Sequence, residues 1–141
     1  PLQLEFDRLR DYLELMTIRM GPRLLYSLDL PLELANHPVP PLLLQPLVEN
    51  AIKHGLEPKV EGGSIKVAAR LQGNQVVLEV GDTGVGCAQA SGDVEPKGFG
   101  LSQVAERLAT TYGASSTVTF VADAAYSTLA RVVLPHQHPA P

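Results

Sequence analysis

The sequence predicts an α/β (α+β) two-layer sandwich, in which one mixed, mostly antiparallel sheet is covered on one face by helices. Three observations support this fold class. Apolar residues recur at helical spacing in separate segments, and five short segments are rich in Val, Ile and Leu, as is typical of strands. Gly73-Asn74 separates two of these strands and is typical of a hairpin turn. The 141 residues suffice for one hydrophobic core, so we expect one domain.

The first predicted element is an amphipathic helix that ends at Gly21-Pro22. Its apolar residues alternate at steps of four and three, the spacing of one packing seam: Leu2, Phe6, Leu9, Leu13, Met16 and Met20. We predict that residues 1–20 form a linker helix leading into the domain. Two interpretations of the seam are open, because it belongs either to the end of a dimer helix or to packing within the domain.

The remaining elements follow in order along residues 21–135, the predicted domain body. The predicted strands are Leu24–Leu30, Ser64–Gln72, Gln75–Gly81, Thr117–Val121 and Thr128–Leu134. A second helix begins near Pro46, after a separate turn, and runs to Gly55, because proline is tolerated in the first turn of a helix but not in its interior. A third helix runs to Tyr112 and stops at Gly113. Two segments are predicted to be a loop and a flexible tail: Cys87–Lys97 and 136–141.

Composition excludes several classes of function. The formal net charge of −4 and the pI near 5.5 argue against direct nucleic-acid binding, which needs clustered Lys and Arg. No apolar run approaches the roughly 20 residues that cross a bilayer. The chain also lacks the basic segment followed by an apolar segment that is typical of a secretory signal. Cys87 is the single cysteine, which rules out a disulfide framework and a Cys-rich metal site. We therefore expect a soluble domain in a reducing compartment.

The second helix carries the first candidate functional residues. At about 100° per residue, four polar residues share one face, and apolar residues fill the opposite face. The four are Glu49, Asn50, Lys53 and His54. The helix thus buries one side and presents a carboxylate, an amide, an amine and an imidazole on the other. Such a face is either simply solvated or part of a binding site, and its neighbours decide between these interpretations.

Two glycine-bearing segments follow further along the chain. Asp82-Thr83-Gly84-Val85-Gly86 follows a predicted strand, and its glycines permit a close ligand approach that a β-carbon would block. The Asp82 carboxylate is suited to accept a hydrogen bond from an exocyclic amine. Gly98-Phe99-Gly100-Leu101 opens the third helix, where unpaired backbone N–H groups and the helix dipole favour an anion. Alone, the first segment is equally compatible with a calcium-like turn or a plain loop, although it lacks the alternating Asp and Asn residues and the final Glu of an EF-hand. The second segment is neither a P-loop nor a dinucleotide fingerprint, and alone it is compatible with a tight turn.

The order and spacing of these three segments are more specific than any one of them. A polar helix ending NAIKHG, a hairpin, DTGVG and GFGL together resemble the N, G1 and G2 boxes of the histidine-kinase/gyrase ATPase superfamily. Two longer segments are similar to those of LytS/YehU-type sensor histidine kinases: PPLLLQPLVENAIKHG and GFGLSQVAERLATTYG. The first helix is similar to the segment that precedes their ATP domain. The resemblance implies a Bergerat-type ATP-binding fold and protein-histidine kinase activity.

The resemblance also implies a role for each matching residue. Asn50 holds the Mg²⁺ ion that bridges the triphosphate of ATP, and Glu49 polarises the attacking group. Lys53 and His54 lie toward the phosphates, and Asp82 accepts the adenine amino group. The other implied cofactor-binding residues shape the adenine pocket, meet the phosphates or fix adenine through water: Gly84, Gly86, Gly98, Phe99, Gly100, Leu101 and Thr128.

The family's phosphoacceptor is a histidine in an upstream dimerising helical segment, and we expect it to lie outside this chain. None of the four histidines stands in the Asn-Pro-His-Phe-type motif of that segment: His37, His54, His136 and His138. The resemblance further implies a cytoplasmic domain of a membrane-anchored homodimer. Its implied partner is a response regulator, commonly one with a DNA-binding output domain. Two positions depart from the family pattern, with Thr83 where asparagine is frequent and Ser127 where glycine is common.

Two other functions are open from the sequence. One is a different member of the superfamily, such as an anti-sigma-type protein-serine kinase or a topoisomerase or chaperone ATPase. Those proteins usually lack a segment like PLLLQPLVENAIKHG. The other is a regulatory module that binds nucleotide without turnover, against which Asn50, Asp82 and the glycines of the third segment argue.

Overall fold

The computed structural model describes residues 1–84, 92–93, 99–122 and 126–136. The helices are α1 (Leu2–Met20), α2 (Gln45–Asn50) and α3 (Phe99–Tyr112), and a π-helical turn, Ala51–Leu56, continues α2. The strands are β1 (Leu24–Asp29), β2 (Gly63–Gln72), β3 (Gln75–Asp82), β4 (Gly92–Asp93), β5 (Thr117–Ala122) and β6 (Thr128–Pro135). Apart from β4, every strand lies within one residue of its predicted bounds.

Within the described residues, the strands form one six-stranded sheet in the order β1-β2-β3-β6-β5-β4. The β1–β2 pair is parallel and every other neighbouring pair is antiparallel. The β2–β3 hairpin turns at Gly73, whose φ of +62° is a backbone conformation that residues with a side chain rarely adopt. The predicted mixed, mostly antiparallel sheet is therefore confirmed. Its central strand, β3, ends at Asp82, which pairs with Ile65 on one side and Thr128 on the other.

The hydrophobic core lies between one face of the sheet and the helices. Alternate residues of the central strands, such as Val67, Leu78 and Val132, are fully buried there. The opposite face is polar at its centre, where the Glu79 carboxylate accepts hydrogen bonds from Arg70 at 2.5 Å and from Arg131 at 2.6 Å. One face is thus covered and the other carries ion pairs, as the two-layer prediction requires.

The predicted seam of α1 packs on the core of its own chain. All six seam residues are buried, with exposed fractions of 8% or less. The helix ends at Gly21, whose φ is +65°. Packing within the domain is therefore the observed use of the seam, and the role of residues 1–20 as a linker stays a prediction.

Two predicted elements differ from the structure. The second helix is regular only to Asn50 and then widens into the π turn, in which the Glu57 N–H donates to the Ile52 carbonyl oxygen at 2.8 Å. Helical periodicity alone does not reveal such a widening, which depends on contacts with other strands. The segment predicted to be a loop, Cys87–Lys97, contains β4, which adds to the edge of β5. The rest of that segment lies outside the described residues.

The ends of the remaining elements are also fixed. Gly113 follows α3 with a φ of +60°, which confirms it as the helix stop. The His136 N–H donates to the Asn74 carbonyl oxygen at 2.8 Å, and its ring stacks on His37 with centroids 5.4 Å apart. Residues 137–141 of the predicted tail lie outside the described residues. None of the helices in the described ranges has both the length and the apolar character needed to span a membrane.

Candidate functional site

The helix formed by α2 and the π turn is polar on one side and apolar on the other. Glu49, Lys53 and His54 are exposed and Asn50 is half-buried. The opposite side enters the core through Leu44, Leu47, Val48, Ala51 and Ile52. The structure therefore agrees with the two-sided helix that the sequence predicts, and it places four different polar groups along one exposed surface.

Asp82 is the buried polar residue at the end of β3, with only 2% of its surface exposed. Its Oδ1 accepts the Gly84 N–H at 2.9 Å, and its carbonyl oxygen accepts the Ser127 N–H at 2.8 Å. Burial raises the pKa of Asp82 to about 6, although the Gly84 N–H and the nearby Lys59 ammonium both act to lower it. The structure thus holds a carboxylate away from water, where a ligand donor would bond strongly to it.

Two glycines allow the π turn and the end of β3 to approach closely. A β-carbon on Gly84 would lie 2.2 Å from the carbonyl carbon and oxygen of Gly55, and one on Gly55 would lie 2.7 Å from Asp82 Oδ1. No side chain fits at either position without moving the backbone or the carboxylate. Gly55 ends the NAIKHG segment but was assigned no binding role, and its position inside the π turn serves close packing.

Lys59 and Thr83 tie the segment after β3 to its surroundings. The Lys59 ammonium donates to the Thr83 carbonyl oxygen at 2.9 Å, and Thr83 Oγ1 accepts the Ser64 N–H at 2.9 Å. Thr83 therefore has a structural partner on β2 at the position where the family frequently carries asparagine. Sequence reasoning missed Lys59, since a single lysine in a connecting segment carries no recognisable signal.

The other predicted site residues lie around this centre or outside the described chain. Thr128 is half-buried and pairs with Asp82 across β3 and β6. The helix α3 packs against α2, and its first residues are Phe99, Gly100 and Leu101. Two predicted residues, Gly86 and Gly98, lie outside the described residues. The structure therefore brings the polar helix, Asp82, Gly84 and Thr128 to one region, beside which α3 packs.

The donor groups on the polar helix bear on whether a metal ion fits. Among the described residues, no three His, Cys, Asp or Glu side chains group together as a metal site. Asn50 is half-buried on this helix and offers one amide oxygen. Mg²⁺ is commonly held by one or two protein oxygens together with phosphates and water. The donor set therefore fits a magnesium ion that arrives with a phosphate ligand.

A family model and several sequence relatives match this chain. Residues 41–138 match the family described as histidine kinase-, DNA gyrase B-, and HSP90-like ATPase. The chain is 33% identical over 109 residues to the sensor histidine kinase BtsS of Escherichia coli (strain K12), covering 77% of this chain and 19% of that protein. It is 34% identical over 113 residues to the sensor histidine kinase YesM of Bacillus subtilis (strain 168), covering 79% and 20%. The chain thus spans about a fifth of the length of these relatives.

Solved structures show the same fold at low sequence identity. The histidine kinase domain of the blue-light activated histidine kinase from Erythrobacter litoralis EL346 matches with a TM-score of 0.67 and 17% identity, over 96% of this chain and 61% of that one. The catalytic domain of histidine kinase ThkA matches with a TM-score of 0.65 and 14% identity, over 92% and 90%. The predicted Bergerat-type architecture is therefore confirmed. The chain belongs to the family of histidine kinase-, DNA gyrase B- and HSP90-like ATPases.

Proposed function

We propose that this domain binds ATP with Mg²⁺ and donates the γ-phosphoryl group to a histidine of an upstream segment in a longer sensor histidine kinase. The observation that carries the proposal is the buried carboxylate of Asp82, enclosed by the backbone of Gly55 and Gly84 at the end of the central strand. Beside it, the helix through Asn50 presents the polar groups that a triphosphate needs. Family membership supports the same nucleotide.

At the adenine end, Asp82 accepts a hydrogen bond from the exocyclic amino group of the base. Gly84 and Gly86 shape the adenine pocket, and the missing β-carbon of Gly84 lets the segment after β3 lie against the backbone of Gly55. Thr128, opposite Asp82 on β6, fixes adenine through a water molecule. The low exposure of Asp82 supports this role, because a hydrogen bond to a charged group is worth more where water is excluded.

At the phosphate end, the chain supplies positioning and positive charge. Asn50 holds the magnesium ion through its amide oxygen, and this ion neutralises charge on the phosphate oxygens when it is bound. Glu49 orients the attacking imidazole and accepts its proton as the γ-phosphorus–oxygen bond breaks. Lys53 and His54 contact the phosphates from the same helix. The N–H groups at the start of α3, with Gly98, Phe99, Gly100 and Leu101, meet the phosphates from the other side.

The partners of this domain follow from the same proposal. The phosphoacceptor histidine belongs to a dimerising segment of the longer protein, and the phosphoryl group passes on to a response regulator with a DNA-binding output domain. The longer protein is a homodimer anchored in the cell membrane, with this domain in the cytoplasm. The similarity to sensor histidine kinases supports this assignment, and the net charge of −4 supports the absence of direct contact with nucleic acid.

The proposal is tested by ATP binding to two variants of the chain, measured by calorimetry with and without Mg²⁺. Asp82→Ala removes the adenine acceptor and is expected to weaken binding about 100-fold under both conditions, in line with the loss of a charged hydrogen bond. Asn50→Ala is expected to abolish the gain in affinity from Mg²⁺. Glu33→Gln, on an exposed residue, is the control and should bind as the wild type does. Unchanged binding of ATP–Mg²⁺ by both site variants would contradict the assignment.

Phosphoryl transfer is tested in the longer protein with ATP labelled at the γ-phosphorus. We expect acid-labile label on the protein, as for a phosphorylated imidazole, and none with Asn50→Ala. Label that survives acid would instead indicate a protein-serine kinase. Binding of ATP without any label would indicate a regulatory module.

A further inference from the structure

Glu5, on the first helix, has its carboxylate buried at a distant part of the chain. Only 3% of the residue is exposed. Its Oε1 accepts the Leu44 N–H at 2.7 Å, and its Oε2 accepts the Leu42 N–H at 3.1 Å. These partners lie 39 and 37 residues away along the chain. The carboxylate therefore forms these hydrogen bonds with the turn that precedes α2, and not with its own helix.

The turn that Glu5 holds has a conformation that needs support. Leu42 has a φ of +58°, and it is the one non-glycine residue with a positive φ in the part of the chain that the structure describes. A leucine there crowds its β-carbon against the backbone. Leu44 is the N-cap residue of α2, and its side chain accepts no hydrogen bond from the N–H groups of the first turn. Because α2 is regular for only six residues, the placement of this turn sets where Asn50 lies at its end.

The same turn is also held by α3. The Arg107 guanidinium donates to the Pro41 carbonyl oxygen, and also to the Leu42 carbonyl oxygen at 3.4 Å. The Glu5 carboxylate thus accepts hydrogen bonds from N–H groups of the turn, and the Arg107 guanidinium donates to its carbonyl oxygens. The first helix and the helix that begins with Phe99 therefore both act on the residues that lead into α2.

The first helix and the turn after it also contact the far end of the polar helix. The Arg19 guanidinium lies 3.5 Å from the Glu57 carboxylate. The Arg23 guanidinium donates to the carbonyl oxygens of Glu57 and Lys59, each at 2.9 Å. The segment that carries Asn50, Lys53 and His54 is consequently bounded at both ends by the N-terminal part of the chain.

We infer that Glu5 is a positioning residue for the nucleotide site, because its carboxylate fixes the 41–44 turn and thereby the Asn50 amide. This inference rests on the proposed function and deepens it, since it makes the position of α1 a determinant of ATP–Mg²⁺ affinity. A displacement of α1 relative to the sheet withdraws the two acceptors from Leu42 and Leu44. The strained turn then relaxes, and Asn50 leaves its position at the phosphate end. Nucleotide affinity is thereby coupled to the helix that leads into the domain.

The test is the effect of Glu5→Gln on ATP affinity measured with Mg²⁺ and with a chelator. Glutamine keeps the size of the side chain but presents an NH₂ group to one of the two N–H donors. Because the effect acts through Asn50, the affinity gain from Mg²⁺ should fall about tenfold, as expected for a small misplacement of a binding group. Binding in the chelator should stay nearly unchanged, since Asp82 is not affected. Arg107→Ala should also reduce the increase in ATP affinity that Mg²⁺ provides. It is a second variant for this test if Glu5→Gln fails to fold.

Two control variants distinguish positioning from loss of stability. Val76→Ala removes two fully buried methyl groups at the hairpin end of β3, and it should lower the melting temperature without changing the increase in ATP affinity that Mg²⁺ provides. Glu33→Gln makes the same chemical change on an exposed residue and should have no effect. The inference is overturned if Mg²⁺ raises the ATP affinity of Glu5→Gln and Arg107→Ala as much as that of the wild type. It is also overturned if Val76→Ala reduces the effect of Mg²⁺ on ATP affinity as much as Glu5→Gln does.

A readout without nucleotide separates this inference from the proposed function. In the NMR spectrum of the nucleotide-free chain, Glu5→Gln should shift the backbone amide of Leu44 and the side-chain amide of Asn50. A shift at Asn50 supports the positioning role even if the wild type proves not to bind ATP, which would refute the proposed function alone. An unchanged Asn50 amide, alongside a shifted Leu44, would refute the positioning role.

Discussion

The two ends of the proposed site differ in how far the protein alone completes them. At the adenine end, Asp82 is buried, and the backbone segments at Gly55 and Gly84 are in close contact. At the phosphate end, Lys53 and His54 are exposed on the polar helix and Asn50 is half-buried. The first end is thus part of the packed fold, whereas the second is an open surface that the ligand and its metal ion complete.

This difference predicts how variants of the two ends behave. A group that is held by the packed fold contributes to folding and to binding, so a change there alters both. A group on an exposed helix face contributes little to stability, and its electrostatic effect is screened by solvent and salt. Variants at the adenine end should therefore change the free energy of unfolding together with ATP affinity, and variants at the phosphate end should change affinity alone.

The largest effect is expected for Gly84→Ala. The new methyl group would lie 2.2 Å from the backbone of Gly55, which no side-chain rotation relieves. We expect ATP binding to fall by more than about 100-fold and the melting temperature to fall by several degrees, as for an overpacked core. The control is Gly113→Ala, because a β-carbon on Gly113 would meet no neighbouring atom within 4 Å, while its φ of +60° strains an alanine. It should lose stability and keep ATP affinity. Normal ATP binding by Gly84→Ala would show that the two segments separate freely.

A smaller effect, with opposite signs for stability and affinity, is expected for Asp82→Asn. Burial raises the pKa of Asp82 from 3.8 to about 6, so the folded state favours the protonated form. The stabilisation from this proton is fully present below pH 3.8 and is lost as the pH rises through 6, which by linkage amounts to about 3 kcal/mol at pH 8. Asparagine stays neutral and keeps an oxygen for the Gly84 N–H. At pH 8 the variant should therefore melt at a higher temperature and bind ATP more weakly.

The pH dependence provides the check on this prediction. The difference in melting temperature between Asp82→Asn and the wild type should be large at pH 8 and smaller at pH 5, where Asp82 is mostly protonated. An equal difference at both values would show that the ionisation of Asp82 is not its cause. Lower stability of the variant at pH 8 would mean that the attraction between Asp82 and Lys59 outweighs the burial of the carboxylate.

The sequence predicts those features that local pattern determines. The periodicity of apolar residues and the residues that form turns can be identified from short stretches of sequence. For this reason the strand bounds, the α1 seam and the stop at Gly113 agree with the structure. Asp82 was found because it follows a strand and precedes two spaced glycines. The polar side of the second helix was found because its residues recur with the helical period.

Features that depend on contacts between distant segments were not predicted. The π turn, the approach of Gly55 to Gly84 and the bond from Lys59 to Thr83 all join parts of the chain whose relative placement only the folded sheet defines. Glu5 was assigned no role, because a carboxylate near the start of a helix ordinarily faces solvent. The strand β4 forms by addition to an exposed sheet edge, and its small polar residues carry no strand pattern.

The smallest effects are expected for Lys53→Ala and His54→Ala, at the open end of the site. Both side chains are exposed, so each variant should keep the melting temperature of the wild type. Lys53→Ala should weaken ATP binding about threefold to tenfold at low salt, and this difference should shrink at high salt because the charge is screened. Lys66→Ala is the matched control, since Lys66 is an exposed lysine on β2, and it should leave the affinity unchanged. A loss at Lys53 that resists salt, accompanied by a lower melting temperature, would contradict the comparison, because it would show that the phosphate end is as firmly built into the fold as the adenine end.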